Sequence, residues 1–187
     1  MKEIRKGEKD MNYSPLRYPG GKSKIAPFVS LLIEKCNLDE CTYIEPFAGG
    51  AGVALALLFE GTVTDIVIND YDKAIYSMWK AILTETEAFI NLILNTPLTI
   101  AEWKKQKEIY TNENQKYSLA LGFATFYLNR TNRSGILAAG PIGGYNQTGN
   151  YLIDARYNKE SLIERIETIA KHKTHIHLYN KDIESFI

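Results

Sequence analysis

The segment at residues 43–52, YIEPFAGGAG, contains residue types that could hold a ligand against the backbone. A short strand should run into these glycines and a helix should follow, and glycine lets a bound group approach the main chain closely. The helix N-terminus offers free N–H donors and a partial positive charge. Asp70 follows 25 residues after Glu45, and a carboxylate there can accept from both hydroxyls of a ribose. The pattern predicts a nucleoside cofactor.

Two commoner nucleotide-binding motifs fail on single residues. The dinucleotide fingerprint G-x-G-x-x-G could start at Gly50 and Gly52, but Leu55 stands where its third glycine belongs. The segment at residues 15–23, PLRYPGGKS, suggests a P-loop, but Leu16 stands where the first P-loop glycine belongs. A plain loop with a solvated lysine is the alternative for this second segment.

The two segments together resemble the Dam-like (D12 class) N6-adenine-specific DNA methyltransferases. Residues 15–23 are similar to the opening of that family, an aromatic residue followed by a small residue and Gly-Gly-Lys. Residues 45–52 resemble its cofactor motif, and Asn69-Asp70 its ribose-binding acid. Residues 179–182, YNKD, resemble the acidic end of its third strand. The similarity spans residues 14–187 in the order of the family.

The resemblance implies S-adenosyl-L-methionine as the cofactor. The residues it implies for cofactor binding are Tyr18, Gly20, Gly21, Lys22, Glu45, Pro46, Phe47, Gly49, Gly52, Asp70 and Asp182. In the family, the lysine and glycine backbone lie against the methionine end, and the acid of the third strand pairs with the adenine. For Asp182 a helix N-cap is the alternative, because an Asp after a strand commonly has that role.

The catalytic motif of the family, [Asp/Asn/Ser]-Pro-Pro-aromatic, does not occur in the 187 residues. The prolines stand at positions 15, 19, 27, 46, 97 and 141, and no two are adjacent. In the family this motif accepts from the adenine amino group and stacks on the flipped base. We therefore assign no catalytic residue and expect either an enzyme cut before the motif or a non-catalytic remnant that binds DNA or cofactor. A NAD-dependent enzyme is a third, weaker interpretation.

Residues 129–135, NRTNRSG, stand where the family carries its target-recognition domain. Arginine can bind guanine with two hydrogen bonds and asparagine can do the same with adenine, while either can also bind phosphates. We expect contact with double-stranded DNA from at least one of the four polar residues. These candidates are Asn129, Arg130, Asn132 and Arg133.

The remaining residues that could do chemistry have ordinary explanations. His172, His175 and His177 cluster, but a half-exposed strand explains His175 and His177 without a metal ion. The spacing of the two cysteines matches no common zinc pattern, which favours reduced thiols in a cytoplasmic protein. No apolar run is long enough for a membrane span. Trp79 and Trp103 are expected in the core.

The elements that must position these residues can be predicted from hydrophobic patterns. Buried strands are expected at residues 41–45, 65–69 and 174–179, and a helix that is apolar nearly all round at residues 52–59. Amphipathic stripes predict further helices near residues 25–36, 75–83 and 162–170. Between residues 85 and 129 only helical signals occur, and residues 130–150 form a long polar loop.

This order predicts an α/β fold, a partial doubly wound, Rossmann-like methyltransferase sheet with an inserted helical target-recognition domain. Residues 1–12 would be a disordered tail, residues 13–84 and 151–187 the cofactor-binding domain, and residues 85–150 the DNA-binding insert. Formal net charge is zero, but residues 101–133 carry six Lys and Arg against three acids. This excess is compatible with a DNA-facing insert.

The first strand is expected to be an edge of the sheet. The fold that the resemblance implies orders its strands 3-2-1-4-5-7-6, and strand 4 would begin after Ile187. The sequence of the first strand, CTYIE, has no Lys or Pro to prevent pairing with another chain. We expect self-association through this edge.

The 187-residue chain is expected not to methylate DNA, because the Pro-Pro pair that holds the adenine is missing. The measurement is tritium transfer from labelled cofactor to unmethylated duplex DNA. Turnover by this chain alone would overturn the expectation.

Overall fold

A three-stranded parallel sheet lies at the centre of the protein, whose computed structural model describes residues 13–18, 22–38, 40–113 and 116–187. The strands are β1 (Thr42–Glu45), β2 (Asp65–Asn69) and β3 (Ile176–Tyr179), in the order β1-β2-β3. In register, Ile44 lies opposite Val67, and Val67 opposite His177. The three predicted strands are confirmed. The predicted tail at residues 1–12 lies outside the described residues.

Eight α-helices surround the sheet within the described part of the chain. They are α1 (Ala26–Lys35), α2 (Gly52–Phe59), α3 (Lys73–Thr84), α4 (Thr86–Asn95), α5 (Ile100–Asn112), α6 (Leu119–Thr131), α7 (Lys159–Lys171) and α8 (Ile183–Phe186). Five of them start at a side chain that accepts from a first-turn N–H, the preferred way to satisfy these donors. The capping residues are Asp72, Thr99, Ser118, Asn158 and Asp182.

Helix α2 is buried because it carries apolar residues all round, from Val53 to Leu58. It packs on β1, β2 and α1. A helix of this kind can be stable only inside a fold, because no face of it suits water. Its buried position fixes the glycine turn that precedes it against the carboxyl end of the sheet.

The helices of the predicted insert share one hydrophobic core with the sheet. Phe89 on α4 and Phe126 on α6 belong to the same cluster of buried residues as Ile66 on β2. Trp79 and Trp103 are in this cluster, as predicted. Helix α6 packs against both α3 and α5. The boundary of the insert at residues 85–150 stays a prediction, since the packing is continuous across it.

None of the helices in the described ranges combines the length and apolar character that crossing a bilayer requires.

Helices α3 and α6 cross so closely that Gly122 has no room for a side chain. A Cβ atom there would lie 2.6 Å from the carbonyl oxygen of Ser77. We expect Gly122→Ala to lower the free energy of unfolding by about 1–3 kcal/mol, the usual range for overpacking. Without this contact, alanine would be favoured over glycine by about 1 kcal/mol in a helix interior. Urea unfolding measures the change, and a loss of stability rather than a gain indicates the close contact.

The matched control is Asn91→Ala at an exposed position of α4. It should leave stability unchanged or slightly raised. Equal stabilisation by both alanines would contradict the close helix crossing.

Candidate functional site

The turn between β1 and α2 is held by hydrogen bonds to both polar groups of one residue, Gly49. Its N–H donates to Oδ2 of Asp70 at 2.8 Å, and its carbonyl oxygen accepts from Nε1 of Trp79 at 2.9 Å. Gly49 has φ +46°, in the left-handed region that glycine adopts without strain. The turn therefore depends on an acid after β2 and an indole on α3.

Asp70 stands at the carboxyl end of β2 with its carboxylate half-enclosed by backbone. Oδ2 binds the N–H of Gly49, and Oδ1 accepts from the N–H of Asp72 at 3.0 Å. Burial raises the pKa of Asp70; the two N–H donors oppose this rise, and the nearby charge of Asp72 adds to it. Among the residues that the structure describes, each oxygen keeps an acceptor site, since a carboxylate has about four.

Glu45, at the end of β1, caps the helix that follows the turn. Its Oε2 accepts from the N–H of Ala54, in the first turn of α2, at 3.2 Å. Next to it, the carbonyl oxygen of Pro46 accepts from Nδ2 of Asn69, while the side chain of Phe47 is 70% exposed. Glu45 thus orients the turn, and Phe47 offers a free aromatic face at the same edge of the sheet.

The N-terminal segment lies over this turn. A Cβ on Gly49 would come within 2.9 Å of the Tyr18 ring, so the glycine allows the ring to lie there. Burial and the charges of Asp70 and Asp72 raise the pKa of Tyr18. Among the other predicted residues of this segment, Lys22 begins a 3-10 turn, and Gly20 and Gly21 lie outside the described residues.

Gly52, the last predicted glycine, is the first residue of α2 and packs closely on the turn that begins at Lys22. A Cβ on Gly52 would lie 3.3 Å from Cβ of Ser23. The structure thus brings the end of the segment at residues 15–23 against the segment at residues 43–52.

An open cleft of about 860 Å³ lies at the carboxyl ends of β2 and β3. It is lined by Tyr71, Asp72, Lys73, Asn180, Lys181, Asp182 and Ser185. Asp182 caps α8, because Oδ1 accepts from the N–H of Ser185 at 3.0 Å and Oδ2 from its hydroxyl at 2.7 Å. The helix-cap alternative for Asp182 is confirmed, and its carboxylate lines the cleft as well.

Two asparagines that the sequence analysis gave no such role hold this edge together. Asn69 donates to the carbonyl oxygens of Pro46 and Lys181 and accepts from the N–H of Lys181. Asn180 donates to the carbonyl oxygens of Asp70 and Tyr71. The sequence could have indicated this role by position, because Asn69 is the last residue of β2 and Asn180 directly follows β3.

The residues present fit the nucleoside end of the predicted cofactor. The carboxylate of Asp70 has free acceptor sites for a diol, and the cleft has the volume of an ordinary small-molecule site. Exposed aromatic rings, Phe47 and Tyr71, flank the strand ends and offer flat surfaces for a base.

Two of the four predicted DNA-contacting residues each make three side-chain hydrogen bonds inside the protein. Asn129 exchanges two hydrogen bonds with the backbone of Arg17 and donates to the carbonyl oxygen of Gly135. Asn132 accepts from Trp103 Nε1 at 2.6 Å and donates to two carbonyl oxygens. Both are buried, so the structure corrects their expected role: they hold the loop in shape.

The two predicted arginines differ in exposure. Arg133 is exposed, just after the end of α6. Arg130 is half-buried in the last turn of α6, and burial together with the charges of Arg165, Arg17 and Arg156 lowers its pKa to about 10. It remains a cation at neutral pH.

The histidines lie at the opposite end of the sheet. His175 and His177 face Asp65, with ring nitrogen to Oδ1 distances of 3.5 and 3.1 Å. The hydrogen bond from His177 contributes most to the lowered pKa of Asp65. This group is remote from the strand ends that carry Asp70 and Asp182.

Comparison with known proteins agrees with this geometry. A search of curated proteins found no match. A family model described as "D12 class N6 adenine-specific DNA methyltransferase" matches residues 18–185, most of the chain. The match extends from Tyr18 over the Gly49 turn to the cleft beside Asp182, and the implied activity is that of a methyltransferase enzyme. The chain belongs to the D12 class of N6 adenine-specific DNA methyltransferases.

Proposed function

We propose that this chain binds S-adenosyl-L-methionine at the carboxyl ends of β1 and β2, for methyl transfer to N6 of adenine in duplex DNA that also requires the Pro-Pro motif missing from these 187 residues. The observation that carries the proposal is the Gly49 turn, held between Asp70 and Trp79, with an open cleft at the neighbouring strand ends. The bound cofactor supplies a methyl group activated by a sulfonium. The contribution of the protein is positioning.

We propose a role for each residue, and for Gly20, Gly21 and Lys22 this role rests on the family resemblance alone. Asp70 accepts from the ribose hydroxyls, and Phe47 and Asp182 border the adenine. Tyr18, with the adjoining Gly20, Gly21 and Lys22, covers the methionine end. Glu45, Pro46, Gly49 and Gly52 shape the turn and bring the N-terminus of α2 to the ligand.

We propose that DNA is bound by residues 85–150, with Arg130 and Arg133 as contacts. The support is their place at the end of α6, where the predicted loop begins. Helix α6 is braced on both sides by α3 and α5, which gives the arginines a rigid base. A cytoplasmic location, which fits two free cysteines, belongs to the same proposal.

We also propose self-association through β1. In the described part of the chain, β1 pairs on one side only, with β2. Ile44 on this strand is 54% exposed, and Phe28 on the adjoining α1 is 66% exposed. An unpaired strand beside exposed apolar side chains is a template for another strand.

Asp70→Asn should weaken cofactor binding about tenfold or more, because it removes a charged acceptor worth about 1.5–3 kcal/mol per hydrogen bond. The amide keeps one acceptor oxygen for the N–H of Gly49, so the turn should survive. Titration calorimetry measures the affinity, and thermal unfolding checks the fold. Asp154→Ala, at an exposed acid outside the cleft, is the control and should bind as the wild type does.

The pH dependence gives a second check on Asp70. Its ionised form is the acceptor, and its pKa is raised by burial. Affinity should therefore fall, as the solution is acidified, at a pH above the usual range of an aspartate. The Asp70→Asn protein should lack this step. Equal affinity and equal pH profiles in the two proteins would show that Asp70 does not hold the ribose.

Ile44→Lys should shift the protein toward monomer, because a charge on an edge strand prevents pairing. Light scattering across a dilution series measures this. Leu94→Lys, at another exposed apolar position on α4, is the control and should leave the mass unchanged. A wild-type monomer at high micromolar concentration would rule out association through β1.

A further inference from the structure

Four arginines from separate parts of the chain converge near the end of α6. Arg17 lies in the N-terminal segment, Arg130 in the last turn of α6, Arg156 in the loop before α7, and Arg165 on α7. The three others are close enough that their charges lower the pKa of Arg130, after the larger effect of burial. Arg156 likewise lowers the pKa of Arg17. We call these four residues the arginine cluster.

The arginine cluster has no anionic partner among the described residues. No carboxylate of a described residue lies within ion-pair distance of the four guanidinium groups. Arg17 and Arg165 each donate from Nη1 to a backbone carbonyl oxygen, of Asn132 at 3.4 Å and of Ser14 at 3.0 Å. Glu164 raises the pKa of its neighbour Arg165, but burial outweighs it. Within the described ranges of the chain, the positive charge therefore has no ion-pair partner.

Two buried polar atoms in the same place have no hydrogen-bond partner in the described structure. They are Nε of Arg130 and the hydroxyl of Tyr157. Tyr157 is almost fully buried and close enough to act electrostatically on Arg130. Buried polar groups are nearly always paired, and an unpaired buried charge is among the costliest features a fold can carry. These two atoms are shielded from solvent, so a ligand would bind the more exposed parts of the cluster, and its negative charge would stabilise the buried guanidinium of Arg130.

We propose that the arginine cluster is a binding site for a phosphate group, and that a backbone phosphate of duplex DNA occupies it. A tetrahedral phosphate offers acceptors to several guanidinium groups at once, a pairing that arginine favours over lysine. This inference rests on the proposed function for its choice of DNA and extends it to Arg17, Arg156, Arg165 and Tyr157.

The place of the arginine cluster supports the choice of DNA. Arg17 directly precedes Tyr18, whose ring lies on the Gly49 turn. Arg133, which is exposed, lies three residues after Arg130. A phosphate bound here would put a DNA strand beside the proposed cofactor site. Phosphates fix the register of a protein on a duplex without reading its sequence.

The first experiment compares thermal unfolding in inorganic phosphate and in chloride at equal ionic strength and pH. Phosphate should raise the melting temperature, by roughly 2–4 °C for each 1 kcal/mol of binding linkage. Arg130→Met should fold, because it removes an uncompensated buried charge, and should lose the phosphate effect. Arg156→Ala, at an exposed position, should fold as the wild type does and weaken the effect. Lys171→Ala, at an exposed position in the last turn of α7, is the control and should retain it.

The second experiment separates the two sources of phosphate. A 12-base-pair duplex should abolish the additional effect of inorganic phosphate, and Arg156→Ala should reduce the salt dependence of duplex binding by about one unit of log–log slope. A phosphate effect that persists with saturating duplex would overturn the assignment to DNA. Equal melting in phosphate and chloride, or an undiminished shift in both arginine variants, would overturn the site itself. Cofactor affinity is measured separately, so failure here leaves the Asp70 proposal intact, and the reverse also holds.

Discussion

The site depends on the two backbone polar groups of Gly49. Its N–H and carbonyl oxygen are bound by Asp70 and by Trp79, whose indole is fully buried. These bonds tie the turn after β1 to the end of β2 and to α3. Removing either partner would leave a buried polar group unsatisfied, which costs about 1–3 kcal/mol. The ring of Tyr18 can lie over the turn only because residue 49 has no side chain.

The irregular segment after α6 is ordered by the same physical means. Asn129, Asn132 and Gln147 each use their amide for three hydrogen bonds, nearly all to backbone groups that lack helical or strand partners. Backbone groups withdrawn from water must find partners, and amide side chains can both donate and accept. Internal hydrogen bonds therefore fix the shape of this segment, although most of its residues are exposed.

The sequence alone predicted the elements whose hydrophobic pattern is strong. The bounds of α2 and β2 agree with the structure, because both are continuous apolar runs that burial requires. The first and third strands begin one and two residues later than predicted, since His175 belongs to a 3-10 turn. Asp70 was singled out by its spacing as a ligand for a ribose, but its bond to the N–H of Gly49 was not predicted.

What could not be predicted depends on residues distant in sequence. Asn129 was expected at the DNA because its type suits a base, but its bonds to Arg17 cross 112 positions of the chain. Likewise, the local sequence pattern does not predict that Arg165 donates to the carbonyl oxygen of Ser14, 151 positions away. Polar residues carry little positional signal, because the same amide or guanidinium serves solvent, backbone or ligand. Only the three-dimensional packing decides among these.

The N-terminal segment has a consequence for communication between the two ends of the site. Arg17 is bonded to Asn129 and belongs to the arginine cluster, while Tyr18 lies on the Gly49 turn. Their Cα atoms are separated by one trans peptide, about 3.8 Å. The proposed phosphate site and the proposed cofactor site are thus joined through a single peptide unit. Any effect of one ligand on the affinity of the other would have to be reciprocal, because linkage requires it.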